Sequence, residues 1–528
     1  MMNKNDDVYV LAIDLGTSAV KVALVSVTGI VAGWEEEALP LYLRPGGGAE
    51  QDPLDWWNAT LNCSKKLLNR GLISKQNVVA VCASTQGAGC VPVDQAGKPL
   101  MNCITWLDSR GAPYVRRALR GIINVAGYDP LKLWRWVSIG GGAPARSGKD
   151  IIGHMLLVQN EFPQIYQKTY KFLNVLDYIN LCFTGEFTAT PDSIMDSWAV
   201  DNRNANHIDY HPILLKNMSI DPDKLPKISL CIDVIGTLKA NVAEELGLSK
   251  DVKVVAGALD YTSAAIGSGA VLDYQTHLYI GTSSWLAAHY PRLKCDIEHY
   301  MAALPCAIPG KYLLIASQDT AGGNLTYLRD KLIFHKDEML QAEPGDYFTN
   351  LNKVAASVPP GSNGLIYTPW LYGERCPADD PNLRAGIYNL SLQNTRSDLV
   401  RAFFEGVAFN TRWMLGLVEK FIDNRQANPI NMVGGGANSD LWCQIQADVL
   451  DRTIRQVIDP VRVNVRGSAF MAAVGLGYIR YEDVPDFIQY KNIYEPNEKN
   501  RALYDERFAI FMEIYKKNKD IYHRLNKV

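Results

Sequence analysis

The chain has 528 residues, 47% hydrophobic and 21% charged, with 41 Gly and 26 Pro; this is an ordinary globular profile, long enough for at least two domains and neither disordered nor fibrous. A formal net charge of -3 argues against nucleic acid as a partner. The ten cysteines include no CxxC pair, which suggests neither a structural zinc site nor a secreted disulfide framework and fits a reducing compartment. The polar start, Met1 to Asp7, leads into an apolar stretch too short for a signal peptide. No run approaches the roughly 18 to 20 apolar residues that span a bilayer, so a cytoplasmic protein with no membrane partner is expected.

Val8 to Ile13 reads as a buried strand that ends in Asp14-Leu15-Gly16-Thr17-Ser18, and Ala19 to Val25 as a second strand. That is a hairpin start, not a strand feeding a phosphate-loop helix. A third strand begins near Ile30. Asp52-Pro53-Leu54-Asp55 opens a helix, with Pro at the first helical position and an acid at the third, and the helix runs to about Arg70. Val78 to Ala83 and Met101 to Thr105 read as short strands, Gly140 to Gly148 as irregular, and Asp150 to Asn160 as a helix.

Near residue 251 the pattern starts again. Val252 to Ala256 reads as a strand leaving through Gly257 and Asp260, Tyr261 to Gly269 as a helix, and Thr276 to Ile280 as a strand ended by Gly281-Thr282-Ser283-Ser284. Two Gly/Thr/Ser loops, each directly after a hydrophobic strand, suggest a duplicated architecture with both loops facing one ligand. Tyr312 to Ser317 is a strand, a helix begins near Gly322, and a long helix covers about Ser397 to Lys420. Ile430 to Val433 is a strand meeting Gly434-Gly435-Gly436, and Asp440 to Leu450 is a helix. The tail from Glu498 is helical, its stripe of Phe508, Phe511, Met512 and Tyr515 set to pack on the outside of the second domain. The resulting division is 1–253, 254–497 and a tail of 498–528.

Gly16 permits a tight turn, the hydroxyls and N–H groups of Thr17 and Ser18 can meet phosphate oxygens, and Asp14 can hold a hydrated Mg²⁺. The same pattern also serves a plain strand-end turn. Thr282 offers a matching cradle. Asp260, at a strand end before a helix of small residues, is placed to act as a general base or as that helix's N-cap. Gly434 to Gly436 could seat a nucleotide or simply turn the chain, and they lack the Lys of a Walker A loop. Trp106, Asp108 and Arg110, if extended, point one way and suit a polyol or sugar, while an Asp–Arg pair equally makes an internal salt bridge. Gln86 sits in another strand-end loop. Glu374 and Arg375 read as engaged within their own loop.

These pieces resemble the FGGY carbohydrate kinases. The matching segments are IDLGTSAVK (Ile13 to Lys21), EQDPLDWW (Glu50 to Trp57), Gly97 to Gly111, AGALDYTSAAIGSG (Ala256 to Gly269), IGTSSW (Ile280 to Trp285), Ala321 to Asp330, YGERCP (Tyr372 to Pro377) and Val433 to Leu450. The resemblance implies an α/β fold of duplicated actin-like, ribonuclease-H-like domains with a catalytic cleft between them, and phosphorylation of a sugar hydroxyl by ATP with Mg²⁺. It implies Asp260 as catalytic base, with Asp14 and Asp260 toward the metal. Thr17, Ser18, Thr282 and Gly322 fall near the ATP phosphates, and Gly435, Gly436 and Ser439 beside adenine and ribose. Gln86, Trp106, Asp108, Tyr261 and Trp285 fall near the sugar. The nearest branch is the xylulose kinases, so a ketopentose is the expected acceptor, with ribulose, glycerol or another polyol, or a silent nucleotide-binding protein, as alternatives. In that branch the sugar-side motif reads Gln-Met-His-Gly and the base motif Gly-Asp-Asn. Here they read Gln86-Gly87-Ala88-Gly89 and Leu259-Asp260-Tyr261, which implies a roomier, less polar pocket. A homodimer is the base-rate expectation.

Overall fold

The computed structural model describes residues 7–125, 127–333 and 346–526; the polar start up to Asp6 lies outside them. The first sheet is built from β1 (Tyr9–Leu15), β2 (Ala19–Ser26), β3 (Val31–Ala38), β4 (Val78–Thr85), β5 (Val234–Thr237) and β6 (Lys253–Leu259), in the order β5-β6-β4-β1-β2-β3. β1, β2 and β3 form an antiparallel meander, while β1, β4 and β6 run parallel. Central β1 is buried from Val10 to Leu15, which is why its sequence is a continuous apolar run without alternation. α1 (Pro53–Asn69) starts where Asp52 accepts a hydrogen bond from the Leu54 N–H at 2.9 Å and Pro53 takes the first position, and the first unit continues through α2 (Val175–Thr184) to α3 (Asp260–Gly267).

The second sheet contains β7 (Thr276–Ile280), β8 (Ser284–Tyr290), β9 (Lys294–Asp296), β10 (Met301–Pro305), β11 (Tyr312–Gln318), β12 (Ile430–Val433), β13 (Ile454–Val457) and β14 (Tyr490–Tyr494). Its order is β9-β10-β11-β8-β7-β12-β13-β14. β7, β8 and β11 are again an antiparallel set, β7, β12 and β13 are parallel, and β14 closes the edge antiparallel, as β5 does in the first sheet. The chain is therefore an α/β fold of two similar units, and the β1–β2 and β7–β8 turns are equivalent. Helices α4 (Gly322–Tyr327), α5 (Arg396–Phe421), α6 (Asp440–Leu450), α7 (Val463–Gly475) and α8 (Glu498–Leu525) accompany the second sheet. In α8, Tyr504 and Phe511 are sunk into the second unit's core.

β6 runs across the expected 253/254 division. Its residues Val254, Val255 and Ala258 are buried and its backbone pairs with β4 and β5, so the first sheet continues to Leu259. Among the elements absent from the sequence reading are β8 and α7; α7 is buried on every side from Val463 to Ala473 and so shows no helical stripe. Among the described residues no helix is long and apolar enough to cross a membrane.

α3 and α7, the matching helices of the two units, cross in backbone contact. A Cβ at Gly267 would lie 1.9 Å from the Val463 carbonyl oxygen, and a Cβ at Gly467 would lie 1.9 Å from that of Ser263. The two glycines are reciprocal, and neither neighbour is a side chain that could swing away. Gly467→Ala is expected to destabilise the protein by about 1–3 kcal/mol or more through overpacking. Urea unfolding measures this, and a variant as stable as the parent would show that the helices do not meet at this point.

Candidate active site

The parallel strands end on one side of the first sheet, where the β1–β2 turn, the start of α3 and the start of α7 converge. Asp14, near the end of β1, is 8% exposed and accepts a hydrogen bond on Oδ1 from Asn464 Nδ2 at 3.0 Å. Its Oδ2 lies 3.9 Å from Lys21 Nζ across the β1–β2 pair. Burial raises its pKa, and Lys21 and Asn464 oppose the rise. Asp260 is the first residue of α3; Leu259 takes the N-cap position, so capping does not explain Asp260. Its Oδ1 accepts the Tyr261 N–H at 2.8 Å. Burial first, then the nearby Asp14 and Asp192, push its pKa up to about 7, against the Tyr261 N–H.

Two carboxylates that resist ionisation stand together with an orphan acceptor: Asn464 is 7% exposed and its Oδ1 receives no hydrogen bond. That set fits a hydrated divalent cation, which takes few protein ligands and keeps several waters. Among the described residues no group of three or more His, Cys, Asp or Glu forms an all-protein cage. Asp14, Asp260 and Asn464 are the residues able to hold such an ion or its waters.

Thr17 joins the sugar-side residues more than expected. Its hydroxyl donates to Gln86 Oε1 at 2.7 Å and accepts from Trp106 Nε1 at 3.0 Å, while Gln86 Nε2 donates to Gln51 Oε1 at 2.8 Å. Ser18 is exposed at the turn. The equivalent turn in the second unit holds Thr282, also exposed. Among the described residues the N–H groups of Thr17, Ser18, Thr282 and Ser283 donate to no backbone carbonyl, which leaves a set of donors on each of the two equivalent turns, of the kind that cradle anions. Gly322 serves differently: its N–H donates to the Gly281 carbonyl at 2.9 Å, and a Cβ there would come within 2.3 Å of that oxygen. It holds the start of α4 against the β7–β8 turn of the same unit. After β12, Gly434 takes φ +82° against the Ile280 carbonyl, Gly436 packs on Ile280, and Gly435 faces open space. Ser439 caps α6, accepting the Trp442 N–H at 2.9 Å and donating to Asn352 Oδ1 at 2.5 Å.

The expected alternation from Trp106 to Arg110 is not present, because the chain turns after Ile104, with the Asp108 N–H on the Thr105 carbonyl at 2.9 Å. Asp108 is wholly buried, and its oxygens accept from Arg110 Nη2 at 2.6 Å, Arg110 Nε at 2.9 Å and the Ala49 N–H at 2.9 Å. This is the internal salt bridge, and it leaves little capacity for a ligand. Trp285 is 5% exposed, stacks on Tyr279 at 3.9 Å, meets the Tyr261 ring edgewise at 4.7 Å and donates to His277 Nε2 at 3.1 Å, so it backs the wall that Tyr261 forms. The room left by Gly87 is partly taken: a Cβ there would meet Leu259 Cδ1 at 3.0 Å.

Sequence reasoning missed three groups. Asp192 accepts the Leu259 N–H at 2.5 Å and the Thr262 hydroxyl at 2.9 Å, which fixes the β6–α3 junction, and burial pushes its pKa up to about 6. Asn464 is the second. The third is a cluster around Arg375, which pairs with Asp319 at 2.8 Å. Burial and the Arg375 charge lower the Lys149 pKa, and burial with Asp150 pushes Asp196 up to about 7. Glu374 accepts from the Asp319 and Arg375 N–H groups and from Asn410, in keeping with the internally engaged loop read from the sequence.

Residues 9–136 and 151–267 match the N-terminal domain of the FGGY family of carbohydrate kinases, and residues 277–476 its C-terminal domain. A xylulose kinase of Staphylococcus epidermidis is 30% identical over 525 residues, 97% of each chain. A gluconokinase of Bacillus subtilis is 24% identical, covering 96% of this chain and 95% of its own. A ligand-bound xylulose kinase structure from Lactobacillus acidophilus has the same fold, with TM-score 0.85 at 24% identity over 98% of this chain and 100% of that one.

Because Asp14 is among the causes of the raised Asp260 pKa, Asp14→Asn is expected to move the Asp260 titration below about 7. Carbon-13 NMR of labelled aspartate carboxylates follows it, and an unmoved titration would remove the electrostatic link.

Proposed function

The chain belongs to the FGGY family of carbohydrate kinases, and from that premise we propose that it moves the γ-phosphoryl group of ATP to a hydroxyl of a ketopentose, xylulose first among them. Carbohydrate kinase activity follows from the family; the acceptor and the residue roles are our reading. The observation that carries it is Asp260, a buried carboxylate pushed to about 7 at the head of α3 with Asp14 beside it.

The two units enclose the reaction between them, the first taking the sugar and the second the nucleotide. The donors of Thr17, Ser18 and Thr282 hold phosphate oxygens in place, with Gly322 keeping the second loop in register. Gly435, open above its backbone, with Gly436 and the Ser439 cap, borders adenine and ribose. Gln86, Trp106 and Tyr261 line the sugar. Asp108 and Trp285 support that wall from behind. Asp14 and Asp260 would hold Mg²⁺, which would supply charge neutralisation on the phosphates.

Asp260 must be ionised to act, and a pKa near 7 leaves it a ready acceptor at neutral pH. Its Oδ2 takes the proton of the attacking hydroxyl, while Oδ1 stays on the Tyr261 N–H and keeps the carboxylate oriented. Tyr261, on its aromatic base of Trp285 and Tyr279, excludes water from that proton transfer.

Asp260→Asn is expected to lower kcat by about 10²–10⁴-fold with ATP affinity retained. In the parent, kcat/KM should rise with pH through about 7 and level above it, because only the deprotonated carboxylate accepts the proton. An ADP-release assay over ketopentoses, polyols and aldonates, with the product identified by mass spectrometry, tests the acceptor. Turnover confined to a polyol or an aldonate would refute the ketopentose reading, and full turnover by Asp260→Asn would refute the base.

A further inference from the structure

Asn464 belongs to the second unit by position in the chain and to the first unit's Asp14 by contact. It is the second residue of α7, and its Nδ2 reaches Asp14 Oδ1 at 3.0 Å across 450 residues of sequence. The orientation of the amide is set by chemistry. A flipped amide would turn its oxygen toward the carboxylate and leave the nitrogen without a partner, so the nitrogen faces Asp14 and the oxygen faces away from it.

That oxygen is the anomaly. It is buried, on a residue only 7% exposed, and accepts no hydrogen bond. Leaving a buried acceptor unsatisfied is costly, and leucine, of nearly the same shape, would avoid that cost. Nor is the side chain merely loose. Val463, next in sequence, has its carbonyl against Gly267, and Gly467, one turn on, lies against Ser263, so the helix crossing holds Asn464 where it is. The Ser468 hydroxyl donates to the Asn464 backbone carbonyl at 3.1 Å, which leaves the side-chain oxygen untouched.

We infer that Asn464 is a positioning residue of the cation site: its amide nitrogen orients Asp14, and its amide oxygen is a third oxygen acceptor for the ion's water shell. The second unit thereby closes one wall of a site whose carboxylates both come from the first sheet's strand ends. This rests on the proposed cation site, so the test separates the two.

Mn²⁺ is the probe, followed by electron paramagnetic resonance with ADP present and the full-length protein. Asn464→Leu is expected to weaken Mn²⁺ binding about tenfold or more, the range seen for groups that orient ligands, with ADP affinity in EDTA unchanged. Asn464→Asp restores an oxygen at the same place and is expected to recover Mn²⁺ affinity relative to the leucine variant. Parent-like Mn²⁺ affinity in Asn464→Leu overturns the inference, as does an aspartate variant no better than leucine. Asp14→Asn reports on the site itself: if it binds Mn²⁺ as the parent does, the cation site is misplaced and the inference falls with it.

Discussion

The crossing of α3 and α7 is the constraint on which the site depends. A contact between side chains can slide by an ångström as rotamers change; a contact between backbones cannot. With Gly267 and Gly467 each set against the other helix's carbonyl, the two helix starts are held together through main-chain atoms alone. Asp260 and Asn464 stand at those starts. The duplication supplies the rest. β1 ends in Asp14, β6 ends at α3, and the matching helix of the second unit comes back onto the first sheet, so three oxygen-bearing side chains from three distant stretches of chain share one small volume.

Such a volume is electrostatically uncomfortable by design. Asp14, Asp192 and Asp260 all have their pKa raised by burial, and the first two each raise that of the third. A tenfold loss of acidity means that the ionised form has become about 1.4 kcal/mol less favourable relative to the protonated one, so the folded protein holds unfavourable charge at this spot. The strain is divided by role. Asp192 uses its two oxygens on the Leu259 N–H and the Thr262 hydroxyl and acts as structure. Asp14 keeps Oδ2 turned toward Lys21 at 3.9 Å, a separation too long for a strong ion pair. Asp260 has little beyond backbone N–H groups. The groups left least satisfied are those whose relief would come from a cation or a proton, which is the signature of a working site rather than a stabilising one.

What could be read from the residues follows from what is local. The β1–β2 and β7–β8 turns were legible because an apolar run broken by Gly, Thr and Ser reports both strand end and turn within a few residues. α6 was legible to its ends, Asp440 and Leu450, since a capping Ser and a periodic apolar face are local too. α7 was not: Val463 to Ala473 is buried all round, and a helix without a polar face has no period to detect. Asp192 and Asn464 act on partners 67 and 450 residues away, and no spacing rule reaches that far. Asp108 shows the opposite failure. Its alternation with Trp106 and Arg110 assumed an extended chain, and a turn at Thr105 sent one side chain to Thr17 and the other into Arg110.

The departures on the sugar side form a connected unit. Leu259 approaches the Cβ position of Gly87, so the small residue at one place and the large one at the other are sterically matched, and a larger residue at 87 would have to displace Leu259 beside Asp260. Tyr261, next along, rests on Trp285 and Tyr279, which makes the wall aromatic and stiff where an amide would be polar and adaptable. Residues 137–150 fall outside the matched family segments, yet they bring Lys149 and Asp150 to the Arg375 and Asp196 cluster. On the proposed reading, the phosphate side is thus built from turns that the duplication repeats, and the acceptor side from residues that fit one another. If Asp260 is the base, specificity for one acceptor has to be changed as a set, since Gly87, Leu259 and Tyr261 are packed together at the head of α3 and altering one alone disturbs Asp260.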